Sequence, residues 1–328
     1  MTALSYHDTI EVLQGLPFTG RGPFARTEWF ALLEHSGARP FVALARDGGE
    51  ALALPLARAP HGLTELSNWY AFTWTGLATL GARREALLER LARDLPAHTS
   101  RLTLSKLPDE DGTATRFDQA FRRAGWTVLR EVCDTNHTLA VAGRSFADYL
   151  ATRPGPLRTT LQRKGKRVAV DVLTSFDPDA WQAYERIYRA SWKPAEGNPT
   201  LLRRFAAAEG SAGRLRVGLA RHEGTVVAAQ LWTVEDGTAY IHKLAHDEGA
   251  SRLSAGTVLT AALLAHVIDS DHVATVDFGT GDDPYKRDWM DQVRPRWRLD
   301  CLRAGDPRTW PVLARALARK LVSRPHAG

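Results

Sequence analysis

The chain has 328 residues, 44% of them hydrophobic and 24% charged, which is enough for two domains that each bury a core of their own. Its apolar stretches are shorter than a membrane span, and the N-terminus lacks the pattern of a secretory signal, so we expect a cytoplasmic protein. Cys133 and Cys301 exclude a disulfide framework, and no metal is expected. The formal net charge of +6 favours anionic partners.

The first part of the chain predicts a helix, a hairpin, a second helix and a strand. The spacing of apolar residues indicates helices from Phe24 to His35 and from Arg84 to Leu95. Asp47-Gly48-Gly49 separates two strand-like runs and is typical of a hairpin turn. The stretch from Arg101 to Ser105 alternates in the manner of a strand.

An aromatic run lies between that hairpin and the second helix. It contains Trp69, Tyr70, Phe72 and Trp74. Aromatic residues most often belong to a core or an interface, because they bury a large apolar surface. The alternative interpretation is that they form an apolar wall for an acceptor molecule.

The middle of the chain contains its most basic stretch. Short helices are predicted from Phe146 to Leu150 and from Pro156 to Lys164. The bases of this stretch are Arg153, Arg158, Arg163, Lys164, Lys166 and Arg167. They fit either a solvated helix face or a site for phosphate groups.

The second half of the chain repeats the order of the first. A helix from Thr200 to Glu209 leads to a hairpin at Glu223-Gly224, then to a helix from Thr257 to Ile268 and a strand from Val273 to Phe278. Short identical pieces recur at one offset, among them Leu44-Ala45-Arg46 with Leu219-Ala220-Arg221. We therefore predict two copies of one α/β unit, residues 1–140 and residues 141–328.

Two charged, glycine-containing loops follow neighbouring strands of the second copy. The strand from Tyr240 to Leu244 runs into a loop that ends at Gly256, and the strand ending at Phe278 runs into Gly279 to Trp289. Ser254 or Thr257 is placed to cap the helix between them. Ligands of α/β sheets bind beyond the carboxyl ends of the strands, so we expect the functional site here.

The C-terminal part predicts a strand from Arg296 to Arg303 and an amphipathic helix from Trp310 to Val322. Trp310, Leu313, Leu317 and Leu321 lie on one side of that helix, and Arg315, Arg319 and Lys320 lie elsewhere. The helix either packs on its own domain or makes a peripheral contact with an anionic membrane at its inner face.

The order of elements resembles the GCN5-related N-acetyltransferase (GNAT) fold. The stretch Asp277 to Trp289 resembles the Gly-Asp-x-Pro-Tyr-Lys-x-x-Trp signature of the cellulose-biosynthesis-like branch, which is related to the Fem-type transferases. Members of this branch carry two GNAT units in one chain. The resemblance implies an α/β (α+β) fold with two tandem GNAT-like units, each a mixed twisted sheet flanked by helices. The N-terminal unit would be a scaffold and the C-terminal unit the catalytic one.

The resemblance also implies a co-substrate, acetyl-CoA or a longer acyl-CoA. Its pantetheine arm would pair with a splayed strand from Ala239 to Ala245, and its pyrophosphate would bind a helix N-terminus. The implied binding residues are Leu244, Ala245, Arg252, Ser254, Ala255, Gly256 and Thr257. Ala255 and Thr257 depart from the small residues of the family loop, so an aminoacyl-tRNA donor of the Fem type remains an alternative.

Direct transfer of an acyl group to a primary amine needs a base and a proton donor. His242 is the first candidate for the base, with Asp282 and Asp283 as alternatives; Tyr285 is the candidate acid, and Lys286 would hold a phosphate or an acceptor carboxylate. A structural role for each of these residues is the competing interpretation.

The expected acceptor is a small-molecule or lipid-like amine. A non-catalytic RNA- or lipid-binding module is the third hypothesis, but the stretch from Arg153 to Arg167 contains no aromatic residue for base stacking. A nucleic acid partner is therefore not expected. The sequence predicts no oligomeric state.

Overall fold

The structure is a computed structural model that describes residues 2–81 and 83–322, without the side chains of residues 320–322. Lys320 and Leu321, which were predicted on the C-terminal helix, therefore lie outside the described side chains. The chain divides into two compact units. The first comprises the residues up to Asp134 and those from Pro295 on, and the second is Thr135–Arg294.

The elements up to residue 140 alternate between strands and helices. In chain order they are β1 (Ala3–His7), α1 (Thr27–His35), β2 (Pro40–Asp47), β3 (Glu50–Ala59), β4 (Gly62–Glu65), β5 (Leu77–Ala78), α2 (Arg84–Asp94), β6 (Arg101–Leu107), α3 (Thr113–Arg123) and β7 (Thr127–Ala140).

The remaining elements begin with a helical segment. In chain order they are α4 (Phe146–Ala151), α5 (Gly155–Lys164), β8 (Ala169–Leu173), α6 (Pro178–Arg189), α7 (Pro199–Ser211), β9 (Leu215–His222), β10 (Thr225–Glu235), β11 (Thr238–His246), α8 (Ala255–Ala265), β12 (Thr275–Thr280), α9 (Pro284–Trp289), β13 (Gln292–Leu302) and α10 (Trp310–Val322).

The first unit contains a mixed sheet flanked by helices. Its strands follow the order β1-β2-β3-β4-β6-β13, in which β4 and β6 are parallel and the other neighbours are antiparallel. The aromatic run packs into this unit. Phe72 meets Phe24 edge to face at 4.7 Å between ring centroids, and Trp74 meets Phe117 at 5.9 Å. Tyr70, Phe72 and Trp74 are buried, so the run mainly has the core role, and Trp69 alone of the four is exposed.

The second unit contains a sheet of the same kind. Its strands follow the order β12-β11-β10-β9-β8, and residues 136–140 of β7 pair with β12. Only β11 and β12 are parallel among the pairs of this sheet that the structure describes. Both units thus have the mixed α/β architecture that was predicted, and both place one parallel pair after an antiparallel hairpin.

The hairpin turn of the second unit has the predicted position. β9 and β10 are joined by Glu223 and Gly224, which have φ angles of 48° and 79°. Positive φ at both central residues is typical of the tight turn that matches strand twist, and glycine adopts it without a steric penalty. In the first unit, Gly48 and Gly49 join β2 and β3 in the same place of the repeat.

A buried hydrogen-bond chain fixes α8 to the sheet of the second unit. Trp232 Nε1 donates to Gln230 Oε1 at 2.8 Å, and Gln230 Nε2 donates to Thr260 Oγ1 at 2.8 Å. All three side chains are buried. A buried amide without partners costs about 1 to 3 kcal/mol, so this chain favours one position of the helix along the strand.

The C-terminal segment differs from the sequence-based division, which put it in the second unit. β13 pairs with β6 through Leu299 and Leu104, so the residues from Pro295 on belong to the first unit. The sequence pattern of β13 predicts a strand but contains no information about its partner. None of the helices that the structure describes combines the length and the hydropathy of a membrane span.

Candidate active site

The strand β11 carries an irregularity in its middle. Leu231 of β10 pairs with Lys243 and Trp232 pairs with Ile241, so His242 is an additional residue in β11. A bulge of this kind turns two successive side chains to one face of a sheet. His242 lies 5.2 Å from the Phe205 ring of α7, and Lys243 Nζ lies 5.3 Å from the Tyr188 ring of α6. Both side chains therefore lie on the face covered by α6 and α7.

The ladder between β11 and β12 is short. It pairs Thr238 with Thr275, Ala239 with Val276 and Tyr240 with Asp277, and it ends there although both strands continue. Beyond this point β11 still extends to His246 on one side of the opening. Where β12 no longer pairs with β11, the edge of β11 can present main-chain groups to an extended ligand.

The helix α8 begins beside that opening. Ser254 precedes it with φ 51°, and the Ser254 hydroxyl accepts a hydrogen bond from Lys164 Nζ at 2.9 Å instead of capping the helix. The prediction that Ser254 caps α8 through its side chain is therefore wrong. The first amides of a helix have no partner within the helix, and its dipole favours an anion there. Lys164, at the end of α5, adds a full positive charge.

A cavity of 340 Å³ lies at this helix start. Four of the residues implied as donor-binding line it, namely Ser254, Ala255, Gly256 and Thr257, and so does Leu244 of β11. Ala245 is buried beside Ala229 of β10, and Arg252 is exposed on the turn before α8. The structure thus brings five of the seven implied donor-binding residues together around one cavity.

One wall of this cavity is formed by His246 and Trp192. Their rings lie 4.4 Å apart, and burial lowers the pKa of His246. A Cβ on Gly256 would lie 3.4 Å from His246 Nδ1, so the glycine leaves room at the helix start. His246 is half-buried and its pKa is lowered, so it adds no full charge to this wall of the cavity at neutral pH.

Lys286 stabilises the loop after β12. Its side chain is buried, and Nζ donates to the carbonyl oxygens of Thr280 at 2.6 Å, Gly281 at 3.2 Å and Gly279 at 3.4 Å. This differs from the predicted role, in which the Lys286 ammonium holds a phosphate or an acceptor carboxylate. A buried ammonium that is surrounded by three carbonyl groups has a structural role.

Asp282 is held by two partners, Arg287 of α9 and His137 of β7. Arg287 Nη2 donates to its carboxylate at 2.7 Å, and His137 Nε2 lies 2.9 Å from it. The hydrogen bond from Arg287 and that from His137 lower the pKa of Asp282. A carboxylate with a lowered pKa is a weaker base, so this geometry favours an ordering role for Asp282.

Tyr285 and Asp283 lie at the start of α9. Tyr285 lines the cavity at the start of α8 and meets Phe278 edge to face at 5.6 Å. Although 40% of its surface is exposed, burial of its hydroxyl end and the nearby Asp283 carboxylate raise the pKa of Tyr285. The hydroxyl is therefore a weaker acid than that of an ordinary tyrosine, but it is protonated at neutral pH and can donate a hydrogen bond.

His242 has a different environment from Tyr285. Its Nε2 lies 2.8 Å from Thr233 Oγ1, and its ring packs against Phe205. The structure thus separates His242 from the side chains that line the cavity at the start of α8, because the bulge turns it to the face covered by α6 and α7.

Sequence reasoning missed a buried ion pair on that same face. Lys243 Nζ lies 3.3 Å from Glu196 Oε1, and the two side chains are 7% and 9% exposed. Lys243 lies next to the predicted base, but Glu196 lies in the connection between α6 and α7, where no local pattern distinguishes it. Within residues 2–81 and 83–322, no group of three or more His, Cys, Asp or Glu side chains is arranged to hold a metal.

The segment of the chain that contains this site matches a known protein family. Residues 157–287 match the family model described as an acetyltransferase (GNAT) domain, and that range contains β11, α8 and most of the loop with Tyr285. The chain carries a GNAT acetyltransferase domain. It is accordingly an acyltransferase, as the sequence resemblance predicted. The sequence has no significant match among curated proteins.

The similarity to solved structures extends beyond the residues that match the family model. A conserved protein of unknown function from Bacteroides thetaiotaomicron VPI-5482 is 11% identical, with 92% of this chain and 100% of that chain covered and a TM-score of 0.61. FemX is 9% identical, with 90% and 96% covered and a TM-score of 0.60. L-PGS from Bacillus licheniformis is 11% identical, with 93% and 99% covered and a TM-score of 0.56. At these identities the likeness shows the fold alone.

Proposed function

We propose that this protein is an acyl-CoA-dependent N-acyltransferase, which moves an acyl group from the CoA thioester directly to a primary amine. The observation that carries this proposal is the end of the ladder between β11 and β12 at Tyr240 and Asp277, beside the cavity at the start of α8. An extended thioester arm needs such a strand edge, and a pyrophosphate needs such a helix start.

The residues at the helix start fit a phosphate-bearing donor. The amides of Ala255, Gly256 and Thr257 begin α8, and Lys164 Nζ reaches the same point through Ser254. Backbone amides, a helix dipole and an ammonium group are the donors that bind a pyrophosphate. The main chain of β11 around Leu244 would take the pantetheine arm, and acetyl-CoA or a longer acyl-CoA would supply the acyl group.

Tyr285 is the proton donor in this proposal. Tyr285 lines the cavity proposed for the donor, and its hydroxyl is protonated at neutral pH, although burial and Asp283 raise its pKa and make it a weaker acid than an ordinary tyrosine. As the bond between the carbonyl carbon and sulfur breaks, the thiolate needs a proton, and in this proposal Tyr285 supplies it. His242 and Asp283 remain the sequence-based candidates for the base, whereas the ion pairs of Asp282 make it a weaker one.

The cellular setting is also part of the proposal. We place the enzyme in the cytoplasm, with a peripheral contact between α10 and an anionic membrane face. Trp310 and Leu317 of α10 are 57% and 64% exposed, and Arg315 and Arg319 lie on the same helix. Exposed apolar side chains together with bases are typical of interfacial helices.

Calorimetry with CoA, acetyl-CoA and palmitoyl-CoA tests the donor. We expect binding in the micromolar range for at least acetyl-CoA, which is about −8 kcal/mol. No heat with any of the three compounds, together with binding of charged tRNA, would replace the proposal by a Fem-type aminoacyl transferase. Binding of uncharged RNA or of anionic vesicles, without thiol release in the presence of any amine, would favour the non-catalytic module.

A further inference from the structure

Two cavities of the first unit lie side by side along α10. Each has a volume of 530 Å³, within the range of small-molecule sites, and both are lined by Arg101, Val312 and Arg315. We call the two cavities together the arginine groove. Six arginine side chains line one cavity and three line the other, but of the acids that the structure describes only Glu131 and Asp300 do.

The floor of the arginine groove is a polar face of the sheet. Side chains alternate along a strand, so Arg298 and Asp300 of β13 share a face, as do Arg101 and Thr103 of β6. Asp300 pairs with Thr103, and Thr103 Oγ1 donates to its carboxylate at 2.7 Å, so the two pairs lie on the same face. A sheet face that packs on a helix is normally apolar. The floor thus offers charges where a packed helix needs apolar side chains.

The arginines of the floor are fixed by their neighbours. Arg298 donates to Asp300 through Nε at 2.9 Å and through Nη2 at 3.2 Å, and Arg101 Nη2 reaches the same carboxylate at 3.3 Å. A guanidinium group has five N–H donors. Nη1 of Arg298 and both Nη1 and Nε of Arg101 make no hydrogen bond within the described chain, so each group is held in position and keeps donors for another acceptor.

Arg315 carries a charge that its neighbours do not neutralise. It is an exposed residue of α10 that lines both cavities, and among the described residues it has no hydrogen-bond or ion-pair partner. Arg308, in the turn before α10, lines the cavity that has no acidic residue among its described lining. The arginine groove therefore keeps uncompensated positive charge where its two cavities meet.

We infer that the arginine groove binds a phosphate-bearing anion, either a free organic phosphate or the headgroup of an anionic lipid. The phosphate lies between Arg315 and the floor arginines Arg101 and Arg298, because guanidinium groups bind phosphate oxygens in pairs. Leu129 and Ala316 line the same groove and leave room for a less polar part of the ligand. This inference goes beyond acyl transfer and stands without it, since the groove belongs to the first unit.

The experiment separates this groove from the donor site, and a lipid from a free phosphate. Calorimetry with inorganic pyrophosphate and with glycerol 3-phosphate is done with and without CoA, because a phosphate at α8 competes with CoA and one in the groove does not. Flotation with phosphatidylcholine vesicles, with and without phosphatidic acid, tests the lipid. The variants are Arg315→Gln and Arg298→Gln. Arg90→Gln is the matched control, since Arg90 is an exposed arginine on α2 of the same unit.

We expect a soluble phosphate to bind equally well with and without CoA, and less well at high salt. Arg315→Gln should raise its Kd about tenfold or more, because a hydrogen bond to a charged group is lost. Arg298→Gln should also raise it, and Arg90→Gln should leave it within twofold. Arg315 is exposed and unpaired among the described residues, so its variant keeps the fold even if Arg298→Gln, which leaves Asp300 with fewer partners, does not.

The vesicles identify the source of the phosphate. If it is a lipid headgroup, the protein floats only with vesicles that contain phosphatidic acid, Arg315→Gln weakens this binding, and glycerol 3-phosphate competes with it. If it is a free phosphate, phosphatidic acid adds nothing to the binding of vesicles, whereas the soluble phosphates still bind. Either result supports the inference.

Three results would overturn the inference. They are no binding of any soluble phosphate or of phosphatidic acid vesicles, unchanged binding in Arg315→Gln, and an equal loss in Arg90→Gln. Displacement of the phosphate by CoA, with a loss in Lys164→Met, would place that phosphate at α8 and overturn it as well. A protein that fails to bind CoA but keeps phosphate binding dependent on Arg315 would instead overturn the proposed function alone.

Discussion

Lys164 Nζ lies 2.9 Å from Ser254 Oγ, so the end of α5 delivers a positive charge to the start of α8. We predict that Lys164→Met weakens CoA binding about tenfold, because a charge-assisted hydrogen bond contributes about 1.5 to 3 kcal/mol. Lys166→Met is the matched control, since Lys166 is an exposed lysine of the same basic stretch. Calorimetry at two salt concentrations checks the prediction. Equal losses in both variants would mean that only the net charge of the stretch matters.

The three carbonyl contacts of Lys286 predict a structural phenotype. Lys286→Met should lower the free energy of unfolding by about 2 kcal/mol or more, because three carbonyl groups of the loop lose a charged donor. Below the unfolding transition, the Kd of CoA and the KM of the acceptor should be close to those of the wild type. Chemical denaturation and thiol release measure the two quantities. An unchanged stability with a raised acceptor KM would restore the acceptor-binding role that the sequence predicted.

We predict that the Tyr285 hydroxyl contributes to the rate of acyl transfer rather than to the binding of acetyl-CoA. In Tyr285→Phe, kcat should fall about a hundredfold, because the thiolate loses its proton donor. The KM of acetyl-CoA should change less than threefold, since the ring that lines the cavity remains. Steady-state thiol release checks both constants, and the melting temperature checks the fold. A variant with full kcat would exclude Tyr285 as the acid.

Lys243 predicts a change of stability with pH. Burial lowers its pKa to about 8, although Glu196 raises it in part and the nearby Lys193 lowers it further. Between about pH 8 and the ordinary lysine value near 10.5, the unfolded chain binds more protons than the folded one, so stability rises with pH. From pH 7 to 9.5 this amounts to about 2 kcal/mol.

The test compares the wild type with Lys243→Met, in which this contribution is absent. The groups that face Lys243 are Glu196, Lys193 and the Tyr188 ring, and they remain in the variant. Urea denaturation from pH 7 to 9.5 should therefore show that the free energy of unfolding of the wild type rises relative to that of the variant. If the free energies of unfolding of the two proteins change with pH in parallel, Lys243 does not titrate in this range.

Much of the fold could be predicted from the sequence because it rests on local patterns. The turn at Glu223-Gly224, the helix stripes and the repeat at one offset depend on spacing within a short stretch. The grouping of Ser254 to Thr257 could be predicted in the same way, since they are consecutive residues before an apolar helix. The structure places all four around one cavity.

The side chains that complete the sites were less predictable for a physical reason. Glu196 and Lys243 are 47 positions apart in the chain, and they meet only because a bulge at His242 turns Lys243 towards α6. The buried position of Lys286 could likewise not be predicted from the sequence, since lysine in a glycine-rich loop is typical of a phosphate site. Partner choice between distant strands, as for β13 and β6, also has no local signal.

Hydrogen exchange with and without CoA tests the central claim most directly. The account predicts slower exchange of the amides in residues 241–245 and 255–257 at saturating CoA, because these groups would bind the arm and the pyrophosphate. Amides of β2 and β3 in the first unit should exchange at the same rate in both conditions. Unchanged exchange in both segments of the second unit, with CoA shown to be bound, would contradict the placement of the donor at β11 and α8.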